Sequence, residues 1–447
     1  MEHYDAIVVG GSVSGAPTAM LLARQGHKVL LVDKAVFPRD TNSTHFVWPR
    51  GMSYLNRWGV AEPILDATPH FKAMEVCIEG ISLVGSIPLA DLQARFIALH
   101  GTADGVINTY CGPRRYFLDH HLLNCARQAG VTVQEGVAYT SVIVEDGRVV
   151  GINAKRSNGA LLSARAKIVI GADGRFSKFV KDVGAKDKDF RELSTFAYFG
   201  YFSGIDKPAL SIHKRGRFGT AIFPTLDGTH MVLVYGPTAY WEQFKQDAEA
   251  NFFDIYRFCA PDVAALIEQG VRTEPFKAAS RMEAFQRENI GPGWALVGDA
   301  GSFKDQVTAM GISNSFRDAE LLSTFVHRAL TGELSMEYAL QEYQRVRAAD
   351  YEAYFELVCT TAEMNPYSKD DLRFFYSIQN DQSLVDQMLS QFGDTLPLSE
   401  GKAATLLPEA AYPDFIQDFD ASRYPTTFPL CGEVVALESP VLAGSFI

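Results

Sequence analysis

The chain has 447 residues, room for two or three domains, and its 47% hydrophobic and 21% charged content is ordinary soluble globular usage. Its 41 basic against 53 acidic side chains give a net charge of −12 with no basic run to offset it, which argues against nucleic acid or an anionic membrane as a partner. Six scattered cysteines show no metal-ligand spacing, no apolar stretch nears the roughly 18 residues of a span, and Glu2 and Asp5 stand where a signal peptide would be basic. A cytoplasmic protein with reduced thiols, no transmembrane segment and no metal is expected.

Tyr4–Val9 predicts a buried strand, Ser14–Gln25 a helix stopped by Gly26, and Lys28–Val32 a second buried strand. Together they form a βαβ unit with a right-handed crossover. The stretch that follows is irregular, interrupted by Pro38 and Pro49, and Met52–Trp58 restarts a helix that ends at Gly59. Residues 74–103 read as alternating strand and loop in a second region. Leu118–Gln128 predicts a helix and Val131–Gln134 a strand, and Ser141–Glu145 with Val149–Ala154 forms a hairpin turned at Asp146-Gly147. Lys167–Ile170 is a buried strand ending in GADG. Residues 192–236 are rich in aromatic and β-branched side chains and predict a sheet; 241–270 read as helical. Trp294–Val297 is a strand ending in GDAG, with a helix at Ile312–Leu322. Tyr338–Met364 and Ser383–Phe392 read as helices. The proline-rich tail from Asp394 is a surface wrap or a partly mobile end.

The loop Gly10-Gly11-Ser12-Val13-Ser14-Gly15 joins the first strand to the first helix. Gly10 permits the tight turn, a small residue at Ser12 lets the backbone approach a pyrophosphate, and Gly15 lets helix and strand pack closely. The helix start at Val13 and Ser14 offers free N–H groups to phosphate oxygens. Asp33, closing the second strand, suits ribose hydroxyls. Strand, glycine loop, helix, strand and acid in this order point to a bound dinucleotide.

Two later motifs carry a resemblance. Gly298-Asp299-Ala300-Gly301 looks like the GD motif of the para-hydroxybenzoate-hydroxylase-like FAD oxidoreductases, which include group A flavoprotein monooxygenases and geranylgeranyl-reductase-like and halogenase-like relatives. Gly171-Ala172-Asp173-Gly174-Arg175-Phe176-Ser177 resembles that superfamily's DG motif, and Arg115 matches an arginine that lies along the FAD. The resemblance spans about residues 1–365. It implies an α/β fold: a Rossmann-type FAD-binding domain (1–73, 104–182 and 280–335), an inserted mixed or antiparallel β-sheet substrate domain (74–103 and 183–279), and a helical C-terminal region with its tail (336–447).

The same resemblance gives Asp299 the flavin ribityl hydroxyls and turns the helix start at Gly311 and Ile312 toward the N1–C2=O edge of the flavin. Asp173 braces the loops around the pyrophosphate, and Thr44, in the segment 40–45, contacts flavin or substrate. His45 is a candidate acid or base near neutral pH. Lys304 and Asp305 are candidates at the reactive face; Lys304 could pair with an acidic substrate or, the simpler role, with Asp305 next to it.

The implied reaction is NADH- or NADPH-dependent monooxygenation, with O2 adding at flavin C4a and the hydroperoxide oxidising a small aromatic or polyketide-like molecule. Tyr198, Phe199, Tyr201, Phe202, Phe218 and Phe223 are candidates to line its pocket, though most belong to core. A dehydrogenase or ene-reductase without oxygen insertion is the alternative, and a non-catalytic flavin-binding protein the third reading. The chain departs from the hydroxylase pattern after Asp299: Ser302, Gln306, Ala309 and Met310 replace the usual residues. Thr220–Pro224 lacks both tryptophans of the halogenase segment, and no cysteine-glycine pair of the reductases lies at 41–45.

Overall fold

The first strand, Glu2–Val9, lies at the centre of a parallel sheet because both its faces are apolar: Ala6, Ile7, Val8 and Val9 are all buried. A computed structural model describes residues 2–192 and 194–431. In it this strand pairs in parallel with Val29–Asp33 on one side and Leu161–Gly171 on the other. Thr132–Glu135 extends the sheet beyond Val29–Asp33, and Trp294–Leu296 extends it beyond Leu161–Gly171. The hairpin Val137–Glu145 and Arg148–Arg156 turns at Asp146 and Gly147, both at positive φ, and pairs antiparallel with the start of Leu161–Gly171. Helices Gly15–Arg24, Arg115–Gln128 and Gly311–Leu330 pack together against the sheet.

A second, mixed sheet is built on Thr195–Ser203, Thr229–Pro237, Phe218–Pro224 and Ser211–Arg215, all antiparallel, with Met74–Ile78 joining Ser211–Arg215 in parallel. The two-residue period divides its aromatic side chains. Phe196, Tyr198, Phe202 and Phe218 face the helix Ala248–Cys259, whereas Ala197, Phe199, Tyr201 and Phe223 face the other way. Tyr198, Phe202 and Phe218 therefore belong to core packing, as most of these aromatics were expected to, whereas Phe199 and Phe223 line cavities.

Three local expectations also change. Leu89–His100 is a helix where strand and loop were predicted, with Leu92 and Phe96 buried four residues apart on one face. Pro49 opens the helix Pro49–Arg57 at its first position, where a missing N–H costs nothing. The region 241–270 is helical in pieces, broken where Pro261 starts a new helix at Pro261–Gln269. The tail returns across the surface: the Leu430 and Cys431 N–H groups donate to the Asp254 carboxylate. No helix among the described residues is long and apolar enough to cross a membrane.

Candidate active site

A cavity of about 590 Å³ runs along the C-terminal ends of the parallel strands and reaches the second sheet at Phe199. The dinucleotide loop forms one wall. Gly10 has φ +110°, and a Cβ there would stand 2.3 Å from the Ala172 carbonyl oxygen; one on Gly15 would stand 1.9 Å from the Gly10 oxygen. Gly15 itself lies behind the wall, while Gly10, Ser12, Val13 and Ser14 line it. The helix Gly15–Arg24 has no side-chain cap, so its positive dipole end is open to an anion. Asp33 lines the same wall and accepts the N–H groups of Gly11 at 2.6 Å and Ala35 at 2.7 Å.

The two later motifs form the facing walls. Asp173 accepts the Ser177 hydroxyl and the N–H groups of Lys178 at 3.0 Å and Phe179 at 3.2 Å, bracing the turn into Lys178–Val183. Gly298 has φ +58°, and a Cβ on it would stand 2.1 Å from Ser14 Oγ, so the GD turn and the dinucleotide loop are in contact. Asp299 lines the cavity, and burial pushes its carboxyl up to about 6 despite Arg115 and Arg175 nearby. Arg115 also lines it, held by Asp119 through Nε at 2.8 Å and Nη2 at 2.9 Å. Its neighbour Arg114 is turned away onto Glu274 and Asp40, with the Tyr201 ring 3.6 Å beneath it. Gly311 and Ile312 line the far end at a second uncapped helix start with no acid in its first turn.

The segment from Thr41 to Phe46 closes the cavity toward the second sheet. His45 is held at φ +43°, with Nδ1 3.1 Å from the Gly112 carbonyl and Nε2 3.1 Å from the Tyr201 hydroxyl. Nδ1 donates to the carbonyl, so Nε2 accepts from Tyr201. Burial, reinforced by Arg114, pushes the imidazole down to about 3. An imidazole held this way is neutral near pH 7, which does not fit the acid–base role expected of it.

Lys304 and Asp305 do not pair with each other, contrary to expectation. Asp305 is buried and accepts the Thr195 N–H at 2.7 Å, the Thr195 hydroxyl at 2.8 Å and the Val307 N–H at 2.9 Å. Burial raises its carboxyl to about 6. Lys304 Nζ instead lies 3.9 Å from the centre of the Tyr351 ring and 4.6 Å from that of Tyr354, and it has no hydrogen-bond partner. Burial lowers its ammonium to about 7.

Sequence reading missed a buried ionic network behind the GD turn. Asp318 accepts the Gly298 N–H at 3.1 Å and pairs with Arg317 and Arg347. Arg317 and Arg50 share Asp350, and Arg50 reaches on to Asp394. Its sequence signals were Asp318, which with Ala319 follows the run after the GD motif, and the placement of Arg347, Asp350 and Tyr351 three and four residues apart on one helix, a spacing equally suited to an exposed face.

Two uncapped helix starts, a loop with no space for a Cβ and a half-buried carboxylate facing the cavity fit a dinucleotide. The family described as FAD binding domain matches residues 3–356, and the chain belongs to it. It is 24% identical over 387 residues to a tryptophan 2-halogenase of Chondromyces crocatus, covering 80% of this chain and 68% of the halogenase. It is 22% identical over 375 residues to a kynurenine 3-monooxygenase of Christiangramia forsetii, covering 80% of this chain and 79% of that enzyme. The solved structure of the flavin-dependent brominase Bmp2 superposes with a TM-score of 0.72 at 18% identity, covering 88% of this chain and 94% of that one.

Proposed function

We propose that this FAD-dependent oxidoreductase is a monooxygenase that inserts oxygen into a small apolar organic molecule, taking electrons from a transiently docked NADH or NADPH. The observation that carries the reading is a shared wall. Thr44, Phe46, Gln306 and Ala309 line the large cavity and also a second, apolar cavity of about 40 Å³ against the inner face of the mixed sheet. The second cavity is otherwise built from side chains such as Trp48, Leu210, Ile212, Phe223 and Leu233. A small apolar group of a substrate lodged there would touch the end of the large cavity where Gly311 begins its helix.

FAD, when bound, supplies the redox chemistry. Gly10, Ser12, Val13, Ser14 and the N–H groups they precede would hold its pyrophosphate, with Gly15 keeping the helix close; Asp33 would take the adenosine ribose. Asp299, Arg115, Asp173 and Gly298 would frame its middle. The uncapped helix start at Gly311 and Ile312 would favour negative charge on the reduced ring. Thr44 would contact the ring, and the apolar cavity would orient the substrate and exclude water.

The test is the visible spectrum of the purified protein, followed anaerobically with NADPH and then NADH, then in labelled dioxygen with a panel of aromatic substrates. Label in the product supports oxygen insertion. Oxidised or reduced product without label would make the chain a dehydrogenase or ene-reductase. A product carrying bromine when bromide is added would place it with the halogenase relatives. A protein that cannot be loaded with FAD would end the reading.

A further inference from the structure

One guanidinium holds both ends of the GD turn. Arg347, buried on the helix Met336–Ala362, donates from Nη2 to the Ser302 hydroxyl at 2.7 Å and from Nε to the Asp318 carboxylate at 3.0 Å. The same Asp318 oxygen accepts the Gly298 N–H at 3.1 Å. The turn thus begins at a residue that Arg347 reaches through Asp318 and ends at one that it touches directly. Between them, the Gly301 N–H donates to the Gly298 carbonyl at 3.0 Å. One helical turn before Arg347, Tyr343 donates its hydroxyl to the Leu296 carbonyl at 2.9 Å, on the strand that leads into the GD turn.

These ties are buried and hard to displace. The other oxygen of Asp318 is taken by Arg317, from Nε at 3.0 Å and from Nη2 at 2.7 Å, so the carboxylate cannot swing away. Hydrogen bonds to an ionised group are roughly twice as strong as neutral ones, and the low local dielectric strengthens them. A Cβ on Gly301 would stand 3.7 Å from Arg347 Nη2, and one on Gly298 would stand 2.1 Å from Ser14 Oγ. The turn is therefore backed by the guanidinium and fronted by the dinucleotide loop. Asp299 sits in the middle of it and lines the large cavity. Among the described residues no donor hydrogen-bonds to the Asp299 carboxylate, whose charged neighbours Arg115 and Arg175 act at longer range. Its placement is left to the backbone of the turn.

We infer that Arg347 is a positioning residue for the cofactor: through Ser302 and Asp318 it fixes the GD turn, and with it the Asp299 carboxylate against the ribityl chain of FAD. This rests on the role given to Asp299 above and adds a residue of the long C-terminal helix to that site. Arg347 also borders the large cavity, so a direct hold on FAD is the alternative that the experiment separates.

The experiment uses the FAD-loaded full chain, diluted at a temperature where circular dichroism shows each variant folded, with the release of FAD read as a rise in flavin fluorescence. R347M should weaken FAD binding about tenfold or more, S302A by less, and R347K should recover part of the loss because an ammonium can still pair with Asp318. In a D299A background R347M should cost little further, since the carboxylate that it places is gone. Where R347M does not fold, S302A and R347K carry the same cycle with D299A. FAD binding unchanged in R347M, S302A and R347K overturns the inference. So do losses that add in the double variants, which would make Arg347 a direct cofactor contact. D299A binding FAD as tightly as wild type would remove the role of Asp299 itself and the inference with it, whereas additive losses remove the inference alone.

Discussion

Asp305 holds the loop after the GD turn to the first residue of the strand Thr195–Ser203: one carboxylate oxygen accepts the Thr195 N–H and the other its hydroxyl. The loop after the GD turn is thereby tied to the mixed sheet. D305A leaves a buried N–H without an acceptor and is expected to cost about 1–3 kcal/mol in urea unfolding. The carboxyl is raised to about 6 in the folded chain, so folding takes up a proton there. Wild-type stability relative to D305N should rise as pH falls from about 6 towards 4. A difference that stays flat over that range would refute this account of Asp305.

His45 should be invisible in the pH profile. With its imidazole held down at about 3 by burial and by Arg114, it is neutral throughout the working range. The rate of flavin reduction measured between about pH 5 and 8 should show the same inflections in wild type and in H45Q, whatever the change in absolute rate. An inflection between about pH 6 and 7 present in wild type and lost in H45Q would restore the acid–base role.

Gly15 and Gly311 are both helix-start glycines of the cavity region, but they differ in what surrounds them. A Cβ on Gly15 would stand 1.9 Å from a backbone oxygen, whereas one on Gly311 meets nothing within 4 Å. G15A should therefore purify without FAD or fail to fold. G311A should fold, gaining a few tenths of a kcal/mol or more from the better helix former, about 1 kcal/mol at most. Flavin content per chain by absorbance and thermal melts decide it.

Asp350 is shared by Arg50, Arg317 and Arg95, and its side chain is 1% exposed. Burial alone would raise its carboxyl, but the three guanidinium groups outweigh burial and hold it well below the ordinary range. D350N leaves buried guanidinium groups short of an anion and should cost about 3–5 kcal/mol. Because the folded value is depressed, the stabilisation is full at neutral pH and is lost as pH falls below the unfolded carboxylate value of about 4. The gap between wild type and D350N in chemical denaturation should narrow on acidification; a gap that widens would contradict the assignment.

Much of the large cavity's wall was readable from the chain alone, because its signals are local. Gly10, Gly15 and Asp33 sit on consecutive elements whose order and apolar runs define a βαβ unit, and Gly298 and Asp299 follow a buried strand in the same way. Backbone geometry at such turns admits few residue types, so the sequence carries the constraint directly.

The roles of His45, Lys304 and the aromatic strand residues were decided by the fold. Whether an imidazole titrates near neutral pH depends on what buries it, and Gly112, Tyr201 and Arg114 come from distant parts of the chain. Lys304 lost its adjacent partner because Thr195, more than a hundred positions away, claimed Asp305. Period two places Phe199 and Phe202 on opposite faces of one strand, but only the packing of Ala248–Cys259 on one face assigns the other to the cavity. Sequence specifies turns and faces through local sterics; charge state and partnership arise from long-range contacts that no short window of sequence contains.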